Sequence, residues 1–63
     1  MCEFRVYLKT NSELREVASG VVKAVVEGRT VKLITSFGEV KKVDSATIES
    51  VDVPNEKLIL IKL

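Results

Sequence analysis

The sequence predicts an all-β chain, folded as one small antiparallel barrel of about five to six short strands. Two observations predict the strands. Apolar and polar residues alternate with a period of two, and turn-forming residues interrupt the alternation about every 8–12 residues. A third observation predicts the closure. At 63 residues the chain is one domain with a small core, burying only about 60% of its unfolded surface, and closing the sheet limits the edges left open to solvent.

Each element follows from its own residues. From Cys2 to Lys9, Cys2, Phe4, Val6 and Leu8 fall on one side and Glu3, Arg5, Tyr7 and Lys9 on the other, the pattern of a half-buried strand. In TNSELREVASG, Thr10 and Glu13 have the spacing of a capping box, but LREV suits a short strand entered through a turn, and the second reading is preferred. VVKAVVEGRTVKLIT is two Val-rich runs around Glu27-Gly28-Arg29, where Gly28 supplies the positive φ of a tight hairpin. SFGEVKKV places a second turn at Phe37-Gly38 and leads into another strand. ATIESVDV and KLILIKL flank Pro54-Asn55-Glu56, where proline sets φ and Asn55 tolerates the left-handed region. For so short a chain these strands favour an SH3-like or Sm-like barrel. The last strand is apolar on both faces, with Leu58 and Leu60 on one side and Ile59, Ile61 and Leu63 on the other. One small chain cannot easily cover both, so a homodimer is expected.

Composition narrows the function. The chain is 46% hydrophobic and 30% charged, as a folded domain should be. Ten Lys and Arg against nine Asp and Glu leave a formal charge of +1, which creates no field to draw in nucleic acid or an anionic membrane. The longest apolar run, LILI, is far short of a membrane span. One cysteine forms no internal disulfide and no secretory leader is visible, so a cytoplasmic location is expected. With no histidine, the chain lacks Ser/His/Asp and Cys/His arrangements. It also lacks a CxxC pair for zinc and a glycine-rich phosphate loop. Glu13 with Glu16, and Asp44 with Glu49 and Asp52, read as solvated surface. The chain is not expected to be an enzyme. RNA binding is weakly supported, since only Tyr7 and Phe37 are free to stack on bases and Lys41-Lys42 is the one basic doublet.

Cys2 is the candidate site. As a strand residue in phase with Phe4 and Val6 it could be merely buried. Its position directly behind Met1 offers more: the thiolate, the Cys2 backbone nitrogen and the α-amine of Met1 can bind one metal through two fused five-membered chelate rings. Such a donor set suits square-planar Ni(II), or Cu(II) in vitro, whereas Mg or Ca would want oxygen. A fourth donor could come from Glu3, from water, or from Cys2 of a second chain.

The opening MCE followed by VYL, the segment LREVASGVVKAVVEG, the run ITSFGEVKKV and the ending ATIESVDVPNEKLIL together resemble the CooT-like family of small nickel-binding proteins over essentially the whole chain, 1–63. The most specific elements are Cys2 behind Met1 and the Phe37-Gly38-Glu39 run before a basic-valine stretch. Ser36 departs from the larger apolar residue that commonly precedes this phenylalanine. The resemblance implies a homodimer of SH3-like or Sm-like barrels that binds nickel through Cys2, with Met1 and Glu3 as accompanying ligands. It also implies a metallochaperone role towards a nickel-enzyme client, carbon monoxide dehydrogenase in the founding case. Members of the wider family are often labelled predicted RNA-binding proteins, a label that rests on fold.

Overall fold

The computed structural model describes residues 2–63, and six strands account for most of them: β1 Phe4–Lys9, β2 Leu14–Glu27, β3 Thr30–Thr35, β4 Val40–Asp44, β5 Ala46–Asp52 and β6 Lys57–Lys62. Their order in the single sheet is β4-β3-β2-β1-β6-β5. The expectation of an all-β chain holds, at the upper strand number.

Strand β2 organises the sheet. Its first half pairs with β1, from Lys9↔Leu14 to Phe4↔Val21, and its second half pairs with β3, from Val21↔Thr35 to Glu27↔Thr30. The sequence reading expected two separate strands here, LREV and the first Val-rich run. Instead Gly20, at φ 65°, is a corner inside one continuous 14-residue strand. Irregular register on both sides of the corner, opposite Phe4–Tyr7 of β1 and at Val21–Lys23 towards β3, bends the strand and increases its twist. Both halves therefore fold over the same core.

That core is Val6, Leu8, Val21, Val31, Leu33, Ala46, Leu58 and Leu60, with Phe4, Val17, Ala18, Ala24, Val43 and Ile48 packed around it. No polar side chain is buried among the described residues. The tight hairpin expected around Glu27-Gly28-Arg29 joins β2 to β3 through the two residues Gly28 and Arg29, with Gly28 at φ 60°. Thr10 and Glu13 close a turn rather than a helix: the Thr10 N–H donates to the Glu13 carbonyl at 2.9 Å. At the Pro54 turn the left-handed residue is Glu56, φ 53°, rather than Asn55. Asn55 instead donates to Asp52, from its backbone N–H at 3.3 Å and from Nδ2 at 2.9 Å.

Two features differ from the expected antiparallel barrel. First, β1 and β6 pair in parallel, from Arg5↔Lys57 to Lys9↔Ile61, so the sheet is mixed. Second, the sheet is not closed into a barrel, because β4 and β5, its two outermost strands, share no ladder. They are nonetheless consecutive in the chain, joined by Ser45 alone at φ 56°. The sheet must curl until its ends meet at that residue, yet the two end strands share no ladder. Backbone bonds from Ala46 N–H to the Arg29 carbonyl (3.1 Å) and from Leu63 N–H to the Ser45 carbonyl (2.8 Å) fasten the corner. Lys41 adds a tie across the opening, donating from Nζ to the carbonyl of Val17. Val17 is one of the residues left without a partner where β1 and β2 slip register, and Lys41 supplies its carbonyl with a donor.

The doubly apolar pattern of β6 holds for four of its five residues, Leu63 lying beyond the strand and exposed. Leu58 and Leu60 are buried, while Ile59 and Ile61 on the other face are half-buried. That outer face has cover from its own chain: Lys9 of β1 and Glu49 of β5 form an ion pair at 3.6 Å, and these strands flank β6, so the pair spans it.

Candidate functional site around Cys2

Strand β1 begins at Phe4, which leaves Cys2 and Glu3 as a lead-in segment outside the ladder. The consequence is direct. Cys2 is exposed and forms no disulfide, so it is not the buried apolar residue that its phase with Phe4 and Val6 allowed. A thiol in that position is available to a ligand or an oxidant, whereas a core cysteine is inert. Met1, the second expected ligand, lies outside the described residues.

Glu3 is held close to the β2 corner. One of its carboxylate oxygens, Oε1, lies 3.6 Å from where a Cβ on Gly20 would stand. The corner also receives the turn after β3: the N–H of Ser36 donates to the Gly20 carbonyl at 2.9 Å. Thr35 then organises that turn. Its hydroxyl accepts from the N–H groups of Phe37 (3.3 Å) and Glu39 (3.2 Å), its carbonyl accepts from Gly38 at 2.9 Å, and its own N–H donates to the Glu39 carbonyl at 2.9 Å. Gly38 takes φ 84°, a conformation that a side chain would strain. The turn is fixed by its own hydrogen bonds rather than by packing. Phe37 stands out from it, 92% exposed.

These pieces enclose an open polar groove of about 480 Å³, lined by Glu3, Arg5, Ser19, Gly20, Thr35, Phe37 and Glu39. The structure therefore joins two features that are 34 residues apart in sequence, Glu3 of the N-terminal segment and Phe37 of the Phe-Gly-Glu run. Sequence reasoning named Glu3 but had no signal for Arg5, Thr35 or Glu39 as its neighbours. Among the described residues no three Cys, Asp or Glu side chains gather closely enough to hold a metal. Side chains of one chain thus do not form a ready cage. A metal held at Cys2 needs backbone or terminal nitrogen, or a donor from elsewhere, to complete its shell.

The family model described as CO dehydrogenase accessory protein CooT matches residues 1–61. The chain belongs to the CooT family. A crystal structure assigned to CooT from Carboxydothermus hydrogenoformans is similar over 98% of both chains, with a TM-score of 0.86 at 18% sequence identity. At that identity the likeness concerns the fold, and the mixed six-stranded sheet is a CooT architecture rather than a peculiarity of this sequence. No curated protein matches the chain. The family assignment agrees with the resemblance carried by Cys2, the Phe37-Gly38-Glu39 run and the ATIESVDVPNEKLIL ending.

Proposed function

We propose that the chain is an accessory protein of nickel-enzyme maturation, which takes up Ni(II) through Cys2 and hands it to a client of the carbon monoxide dehydrogenase type. The observation that carries this reading is the exposed, disulfide-free thiol of Cys2 in a chain of the CooT family. Nickel is cargo here, so the site must bind it and also release it. An exposed lead-in segment suits that task better than a buried cage, because the metal can be reached by a second protein without unfolding the sheet.

The donors are the Cys2 sulfur, the Cys2 backbone nitrogen and the amine of Met1, with Glu3 placed one residue away for the remaining position. Sulfur and nitrogen of this kind select a late first-row metal over Mg or Ca, and Cu(II) is the expected competitor in vitro. Arg5, in the groove beside Glu3, keeps the local charge from becoming strongly negative, which favours transfer over retention. Under this proposal the chain works as a cytoplasmic homodimer and catalyses no reaction itself.

Anaerobic titration with Ni(II) tests the reading. Thiolate-to-nickel charge-transfer bands should grow to a defined stoichiometry in the wild type and be missing in Cys2→Ser. Bands of equal intensity in Cys2→Ser would refute it.

A further inference from the structure

Two apolar surfaces are available for self-association, and the structure distinguishes them. The outer face of β6 is half-buried beneath the Lys9–Glu49 pair. The second surface has no such cover. Beside β5, an open groove of about 230 Å³ is lined by Phe4, Val22, Ala24, Ile48, Val51 and Lys23, and its walls include Val22 at 45% and Val51 at 58% exposure.

We propose that Phe37 is the anchor of a two-fold contact: the ring of each copy seats in the Phe4/Val22/Ile48/Val51 groove of the other. The proposal rests on the reading of this chain as a homodimer and assigns the residues that hold it. Phe37 is the most exposed large apolar side chain among the described residues, and leaving such a ring in water is unfavourable. Its turn is nevertheless fixed by the Thr35 hydrogen bonds, so little ordering entropy opposes docking. The groove has the size for one ring, since a closed cavity of about 150 Å³ takes benzene.

Charge selects the same pairing. Lys23 lies at the groove and Glu39 stands two residues beyond Phe37, so inserting the ring brings the opposite charges towards each other at the rim. Neither joins an ion pair among the described residues. Val21 pairs with Thr35 and Lys23 with Ile34, so the groove lies beside the strand end that leads into Phe37, and a two-fold contact would use anchor and groove twice. A contact hiding about 1,000 Å² in total needs about 500 Å² from each chain, roughly an eighth of its 4239 Å² surface. Phe4 forms part of the groove and Cys2 precedes it by two residues, so the contact borders the thiol segment.

The test measures mass by sedimentation equilibrium for the wild type, Phe37→Ala, Glu39→Lys, Lys23→Glu and the double reversal Glu39→Lys/Lys23→Glu, with circular dichroism as the check of folding. The wild type should be a dimer, and Phe37→Ala should weaken it at least about thirtyfold, as expected for a central aromatic anchor. Each single reversal should weaken association and the double reversal should restore it. If Phe37→Ala loses its sheet signal, the reversal cycle alone decides. A dimer unchanged in folded Phe37→Ala overturns the anchor and leaves the homodimer reading standing, whereas a wild type that is monomeric throughout overturns both. An unchanged dimer in which Phe37→Ala abolishes binding of a single-stranded RNA oligonucleotide would assign the ring to nucleic acid and likewise overturn the proposal.

Discussion

Replacing Gly20 by alanine probes the corner on which the Cys2 segment rests. Gly20 lies at φ 65° inside β2, and an L-residue in the left-handed region costs about 1–2 kcal/mol. Reduced freedom of the unfolded chain offsets part of this, by about 0.4–1 kcal/mol. The new Cβ would stand 3.6 Å from Oε1 of Glu3, an ordinary van der Waals contact that adds no clash. A net loss of about 1 kcal/mol is therefore expected. Unfolding entropy of about 2.1 cal/mol/K per residue over 63 residues gives about 0.13 kcal/mol/K, so Tm should fall by about 8 °C. Gly28→Ala is the internal comparison, because Gly28 has φ 60° and open space where its Cβ would go. Thermal unfolding followed by circular dichroism should give the two variants the same loss. A drop for Gly20→Ala more than twice that for Gly28→Ala would mean that Glu3 cannot yield, and no drop at all would refute the left-handed corner.

Three further predictions concern the rest of the sheet. Leu33 is fully buried, so Leu33→Ala should cost about 2–5 kcal/mol; a domain of this length is stable by only about 3–9 kcal/mol, and urea titration should find the variant at or near unfolding at 25 °C. Lys41→Met removes the donor to the Val17 carbonyl and should lower stability by about 1 kcal/mol, read as a shift in the urea midpoint with an unchanged m-value; an unshifted midpoint would show that the tie contributes nothing. Asp52 has its carboxyl held below the ordinary carboxylate range by hydrogen bonds from the Asn55 side chain and backbone, with Lys57 adding to the effect. Because the folded pKa is depressed, this stabilisation is present above the unfolded value and is lost as pH falls through the folded one. Asp52→Asn should therefore lower Tm at pH 7, and the difference from wild type should fade below about pH 4.

What the sequence disclosed was what local chemistry controls. The hairpin at Gly28-Arg29 needs only a glycine between two Val-rich runs, and the turns at Phe37-Gly38 and Pro54-Asn55 are equally local. The period-two alternation of Phe4–Lys9 placed Val6 and Leu8 in the core without reference to any partner strand. Long-range facts left no such trace. The parallel pairing of β1 with β6 joins Arg5 to Lys57, residues near opposite ends of the chain, and nothing in either strand specifies the direction of its neighbour. A corner within a strand and a turn between strands use a positive-φ glycine alike, so Gly20 does not reveal in sequence that β2 is continuous. Ser45 and Glu56 hold left-handed conformations that their residue types do not advertise.

At the site the division is the same. Position alone singles out Cys2 and Glu3 as candidates, but the exposure of Cys2 depends on where the β1 ladder begins, and pairing with Val21 sets that beginning at Phe4. The neighbourhood of Glu3 with Arg5, Thr35 and Glu39 exists only because β2 turns its corner and draws the 36–39 turn onto Gly20.

The central claim is that nickel is held by a chelate built on the amino terminus, and comparing tags at the two ends tests it most directly. Extending the chain ahead of Met1 converts a primary amine into a peptide nitrogen, a much poorer donor at neutral pH, and removes the anchor of one chelate ring. Extension after Leu63 leaves those donors intact. Isothermal titration with Ni(II) at pH 7 should show the N-terminally extended protein losing affinity nearly as severely as Cys2→Ser, while the C-terminally extended protein binds as the wild type does, with uptake releasing protons. Wild-type affinity in the N-terminally extended protein would contradict the account, even if the sulfur of Cys2 still binds.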